Sequence, residues 1–333
     1  MSLQIVNMTI HQLAANSQDE LTLKLRNEPI GQSDLSESLA SQLHKFFQSK
    51  PAKGFSFFKE DSESKEQVTA LVNQEIDFHA VSVSFAKRFH ENLVKYPFAE
   101  QGSLVIAQYQ SLATDYFMIA LIPTGDTLKV EDNMDLSATQ HINLNSTSVI
   151  ARIDLSTMLM EPDSPRYITY RKGAVGKKYG DFFMDMLDAE SGLDAKAQNM
   201  ILMQAVEDFC GESKLDKDES LSLKKQVHDY ASDQKRHGEE IEIRVLSEEL
   251  PHLTEGASFL DFTSAQGYEL EEKFPVEANQ LKKLTKFVGA GGGININFDG
   301  GLLNERVFYD RETDTLTIKG CPPNLRDQLQ RNA

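Results

Sequence analysis

The sequence predicts an α+β protein: a mixed α/β N-terminal domain over residues 1–148, then a C-terminal domain over 149–333 of helices plus a small antiparallel sheet. Three observations carry this prediction. Segments of strand period and of helical period are grouped along the first 150 residues, with no strict βαβ alternation. Residues 175–265 read as almost wholly helical, and the chain then returns to four short strand-like runs separated by glycine turns.

The elements follow in order. Residues 5–10 and 21–25 alternate as two strands around a polar turn near Asn16 to Asp19. Residues 33–48 form a helix with Ser33 or Asp34 as its cap. A long helical pattern over 63–95 places Phe78, Val81, Phe85, Phe89 and Leu93 at steps of three and four. Residues 104–107 and 116–122 are strongly apolar strands forming a hairpin, and 123–126 reads as a turn. Residues 151–155 and 166–172 are two further strands. Ile201, Ala205 and Phe209, and then Leu223, Val227 and Tyr230, are helical stripes, with shorter helices expected over 239–249 and 259–266. The four late strands are 284–288, 294–298, 306–309 and 315–318. The glycine run 289–293 is followed by a strand rather than a helix and lacks both phosphate-loop patterns, so it reads as a hairpin turn. The prolines Pro322 and Pro323 open a terminal helix.

Composition narrows the function. A chain of 333 residues that is 40% hydrophobic and 26% charged is globular, and it contains no run near the roughly 20 apolar residues needed to span a bilayer. No basic, then apolar, secretory leader opens it. Cys210 and Cys321 cannot build a disulfide framework or a cysteine-based zinc finger, so a cytoplasmic protein is expected. The eight histidines show no ligand spacing. Asp181 and Asp185 share a helical face but alternate with apolar residues, which an amphipathic helix explains better than Mg²⁺ binding. No nucleophile elbow or catalytic cysteine signature is present. No cofactor, no metal and no enzymatic activity are expected.

The net charge of −17 argues against a polyanion partner until its distribution is examined. Residues 181–277 hold 24 acidic and nine basic residues, so most of the acidity sits in one helical region. Residues 164–180 hold five basic residues and no acidic one: Arg166, Arg171, Lys172, Lys177 and Lys178. They are interleaved with Tyr167, Tyr170 and Tyr179, a combination suited to phosphates and bases. A helix beginning near Val175 would add free N–H groups to an anion site beside Lys177 and Lys178. Lys282, Lys283 and Lys286 form a second basic group before the glycine run. These eight cations are the candidate nucleic-acid-binding residues.

Long strings then carry a resemblance: residues 151–155, 166–169, 172–178, 181–185 and 193–199, followed by 267–272, 284–287, 291–293, 296–299 and 314–320, and closing with 322–329. Residues 95–99 agree in the N-terminal part. The whole chain resembles the YejK (NdpA) family of bacterial nucleoid-associated proteins. That resemblance implies a cytoplasmic, nucleoid-located, non-enzymatic protein that binds double-stranded DNA with little sequence preference. RNA is a further ligand to be tested. It supplies no residue-level binding site, so the site rests on the charge reading. A homodimer aligning two basic segments is expected, since two-fold symmetry is the commonest arrangement. The alternative function is an adaptor, recruited to the nucleoid by protein partners such as DNA-topology enzymes through its acidic helices.

Overall fold

A computed structural model describes residues 3–50, 53–96, 98, 100–172, 178–252 and 256–332. The chain forms two compact units, residues 1–193 and 194–333. The first contains β1 (Leu3–Ala15), β2 (Leu21–Lys24), α1 (Asp34–Ser49), β3 (Lys53–Phe58), α2 (Glu63–Val72), α3 (Phe78–Leu93), β4 (Gly102–Ser111) and β5 (Thr114–Ile122). It continues with β6 (Thr124–Val130), β7 (Leu136–Ile142), β8 (Val149–Asp154), α4 (Leu155–Met160), β9 (Ile168–Arg171), α5 (Tyr179–Leu187) and β10 (Ala189–Ser191).

Eight of these strands make one antiparallel sheet in the order β10-β3-β9-β8-β5-β4-β1-β2. Every residue from Phe117 to Ile122 in β5 is buried, as expected of a central strand covered on both faces. One face carries α2, α3 and α5, with Phe85, Phe89, Phe182 and Phe183 at its centre. The other carries α1, which lays Ala40, Leu43 and Phe47 on Met8, Ala107, Met118 and Ile150. Ser33 caps α1 through Ser36 in a capping box, and Asp34 and Glu37 complement the positive end of the helix.

Several expectations change here. The helical pattern over 63–95 is two helices. The chain turns at Gln74, whose φ is +61°, and Asp77 restarts it by accepting from the Ala80 amide at 2.9 Å. The strand β3, absent from the sequence reading, follows α1 closely. Residues 123–126 are not a turn. Pro123 has no N–H to donate, so β5 ends there, and β6 and β7 run out as a separate two-stranded arm. The expected boundary at 148/149 lies between that arm and β8. Because β8 pairs with β5, and β9 with β3 and β8, the sheet extends past it, and the compact units part after Leu193.

The second unit contains α6 (Ala195–Glu212), α7 (Lys217–His237), β11 (Ile241–Glu242), α8 (Ile243–Glu249), α9 (Phe259–Ala265), β12 (Lys273–Phe274) and α10 (Ala278–Leu281). Asp194 caps α6, while α7 opens with an Asp216/Glu219 capping box and closes on Gly238 at φ +76°. Phe209 meets Phe259 and Phe262 edge-on at 5.3 Å in its core. The buried Asn199 amide donates to the Ala195 and Pro275 carbonyls and accepts from the Glu277 amide, so its burial carries no unpaired group. Then come β13 (Lys286–Gly291), β14 (Ile294–Asp299), β15 (Val307–Asp310), β16 (Thr315–Ile318) and α11 (Pro323–Asn332). The expected single antiparallel sheet over 283–320 is two separate hairpins, β13-β14 and β15-β16. Gly292 and Gly293, at φ +56° and +81°, make the first turn, which is why the glycine run stands there.

Candidate nucleic-acid interface

Directly opposed residues on neighbouring strands share one face of a sheet. The register therefore gives a continuous row on the α1 face: Met8, Ala107, Met118, Arg152, Thr169, Phe55. The row is apolar where α1 covers it and becomes cationic at β8. One row further, Lys53 stands opposite Arg171 on β3 and β9.

The cations gather on aromatic rings. The Arg152 guanidinium lies 4.2 Å from the Tyr116 ring centroid and 5.3 Å from that of Phe47. Lys53 lies 5.3 Å from Phe47 and Lys50 4.5 Å from Phe46. Arg171 sits 5.8 Å from Phe46, and its Nη1 donates to the Thr147 carbonyl. Arg166 lies 5.6 Å from Phe55. Phe46 and Phe47, in the last turn of α1, are buried by the core on one side and roofed by these cations on the other. All five basic residues are half-buried, so their stems cover apolar surface while their heads reach the boundary with water. A guanidinium stacked on a ring keeps its in-plane N–H donors free for a planar or tetrahedral anion. Among the described residues, no ion pair joins Arg152, Arg171 or Lys50 to a carboxylate. The Arg152 Nη1 is buried without a hydrogen-bond partner.

The local field is recorded by a neighbour. His44, buried in α1, shares a 3.0 Å hydrogen bond between its Nδ1 and the Tyr109 hydroxyl. Its pKa is lowered to about 4, first by burial and then by the charges of Arg152 and Lys53. Burial also holds the Tyr109 hydroxyl well above its ordinary value.

The described cations of the first unit that the sequence predicts do not share one face of the sheet. Arg166 and Arg171 are on the α1 face, and Lys172 is exposed just past β9. Lys178 is exposed at the start of α5, which packs on the opposite face of the sheet. Lys177 lies outside the described residues, as does the anion site expected near Val175. Lys282, Lys283 and Lys286 belong to the second unit; Lys283 donates to the Gln280 side chain and Lys286 pairs with Asp299 at 3.4 Å. The interleaved tyrosines are core residues and offer no stacking surface. Tyr167, just before β9, accepts from the Phe58 amide, Tyr179 in α5 donates to Glu100, and both, like Tyr170 in β9, are buried. The sequence reading missed Lys50, Lys53 and Arg152. Lys50 and Lys53 bracket the α1–β3 connection, and Arg152 is, with Asp154, one of the two polar members of the alternating run 151–154, signals visible only once β3 and β8 are placed on one sheet.

Asp181 and Asp185 are exposed, and Asp185 accepts from the Tyr96 hydroxyl. Among the described residues no group of three His, Cys, Asp or Glu could hold a metal ion, and no helix is long and apolar enough to cross a membrane. Burial raises the Cys210 thiol pKa, which suits a structural cysteine.

Fold and face together define an α+β protein with a cation–aromatic surface at the end of a large antiparallel sheet. Residues 9–326 match the family model described as nucleoid-associated protein YejK. A nucleoid-associated protein of Vibrio atlanticus is 53% identical over all of this chain and 99% of its own length. Another, from Photobacterium profundum, is 52% identical over 99% of this chain and 98% of its own, and one from Vibrio cholerae is 50% identical over 99% of each. The chain belongs to the YejK family of nucleoid-associated proteins.

Proposed function

We propose that this protein associates with the nucleoid by binding double-stranded DNA through phosphate contacts, with little sequence preference. The observation that carries the reading is the gathering of Lys50, Lys53, Arg152, Arg166 and Arg171 on one face of the first unit. Phosphates reward such clustered cations irrespective of base sequence. Lys172, just past β9, extends the basic surface, while Lys178 stands at the start of α5 on the other face of the sheet and Lys282, Lys283 and Lys286 add basic groups to the second unit. The relatives are named nucleoid-associated proteins, which supports the nucleoid as the cellular setting of this reading. RNA would meet the same cations through the same phosphates.

The test is binding of a random 30-base-pair duplex across a salt series, with the wild type beside a Lys53→Ala/Arg171→Ala variant. Each phosphate contact removed should flatten the log–log salt slope by about 0.9, so the double variant should lose nearly 2. Binding should weaken equally across unrelated sequences. A variant with the wild-type slope overturns the face. No binding by the wild type at low salt overturns direct DNA recognition and leaves recruitment by protein partners.

A further inference from the structure

The cations of the α1 face are seated on neutral groups. Phe46 and Phe47 are consecutive in the last turn of α1, and each ring seats one lysine and one arginine. Phe46 carries Lys50 at 4.5 Å and Arg171 at 5.8 Å, while Phe47 carries Lys53 and Arg152, both at 5.3 Å. Two backbone carbonyls add to the rings. Arg171 donates to that of Thr147, and the Lys53 ammonium donates to that of Gln48 at 3.2 Å, at the negative end of the helix. Asp154, two residues past Arg152 on β8, turns its Oδ1 to the Thr157 amide at 2.8 Å and caps α4. A carboxylate would hold a cation and cancel its charge. A ring or a carbonyl holds it and leaves the charge in place. Without such seats, four long side chains of like charge would spread over many rotamers in water.

We infer that Phe46 is a positioning residue for phosphate binding, seating Lys50 and Arg171 before DNA arrives. The inference rests on the DNA-binding reading above. Ordering a long side chain at an interface normally weakens binding, and here that ordering is completed when the chain folds. Removing the ring would return it to the binding step without removing a charge. Affinity and salt slope therefore separate: the slope counts the phosphates neutralised, whereas affinity at a fixed salt also records the ordering. Phe47 is fully buried, but Phe46 is 9% exposed at the rim, so its ring can be exchanged with less damage to the core.

Phe46→Leu keeps every charge and most of the apolar volume. At fixed salt it should bind a random 30-base-pair duplex roughly three- to tenfold more weakly, with the wild-type salt slope. Phe46→Tyr, which keeps the ring, should restore the affinity. Ala40→Gly, buried in the same helix nearly two turns earlier, is the control for packing: it should lower the urea midpoint and leave DNA affinity unchanged. Without DNA, ring current should hold the Lys50 ε-methylene protons upfield of those of exposed Lys172, and Phe46→Leu should abolish the difference. Wild-type affinity in Phe46→Leu overturns the inference, as does an equal loss of affinity in Ala40→Gly. A flattened slope in Phe46→Leu also overturns it, because the ring would then be needed for the phosphate contacts themselves. Unshifted Lys50 protons in the wild type remove its physical basis. A wild type that binds no duplex at low salt is the failure of the DNA reading itself, visible before any variant is made, and the inference falls with it.

Discussion

Lowering the pH should destabilise the first unit through His44, and the amount can be worked from its surroundings. In the unfolded chain the imidazole titrates near 6.5, whereas in the fold its pKa is about 4. Between these values the unfolded state binds more protons, so stability is intact above pH 6.5 and is lost as pH falls toward 4. The slope reaches about 1.4 kcal/mol per pH unit, and the integral from pH 7 to pH 5 is about 2 kcal/mol. His11, buried in β1 with its pKa also lowered to about 4, should add a similar loss. Carboxylates titrate in the same range, so the measurement is a difference of differences. Hydrogen exchange of α1 peptides in urea, at pH 7 and pH 5, should show His44→Gln losing about 2 kcal/mol less than the wild type. Arg152→Met should raise the His44 titration midpoint, followed by the imidazole NMR resonance, and leave that of His11 in place. Duplex DNA should raise it in the same direction, because phosphates on the cationic face would offset the field of Arg152 and Lys53. Equal pH sensitivity in wild type and His44→Gln, or a His44 midpoint untouched by Arg152→Met, would refute the electrostatic account of this face.

Two further substitutions probe the frame that carries it. A Cβ on Gly192 would lie 1.8 Å from the Pro165 carbonyl oxygen and 3.1 Å from the Ser56 Cα, backbone on both sides, so Gly192→Ala should cost about 3 kcal/mol by overpacking, read as a lowered urea midpoint. The same change should disturb Arg166, which follows Pro165, and weaken DNA binding more than its effect on folding alone would. Asp77→Ala removes the cap that restarts the chain after Gln74 and should cost about 1 kcal/mol. Its effect should appear as faster hydrogen exchange at the start of α3, with DNA affinity unchanged.

The sequence exposed elements where burial is periodic and hid them where it is not. Phe78, Val81, Phe85, Phe89 and Leu93 do face the core of α3, and Phe117 to Ile122 are as buried as their composition demands. The arm escaped notice because strands exposed on both faces leave no apolar alternation over their full length, and Pro123-Thr124-Gly125-Asp126 imitates a turn. The short β3 escaped because Gly54 and Ser56 interrupt its apolar run; Gly54 is required there, since a Cβ would meet the Tyr170 ring at 2.3 Å. The proposed binding face was half legible. Arg166 and Arg171 were marked by local charge density, but the tyrosines between them are buried: strand alternation turns Tyr170 to the face opposite Arg171, while Tyr167, just before β9, is held in the core by the Phe58 amide. Lys50, Lys53 and Arg152 are separated by up to about 100 positions along the chain and meet only through strand order.

The strand order also resolves how a chain of net charge −17 could hold a polyanion. Beyond a Debye length of roughly 10 Å the overall charge is screened, so a phosphate at the surface responds to the charges within that radius. On the α1 face those include Lys50, Lys53, Arg152, Arg166 and Arg171, set against the carboxylate of Asp154 on β8. Such a face is small, and a small face releases few counterions, so binding by one copy should be weak, with a shallow salt slope.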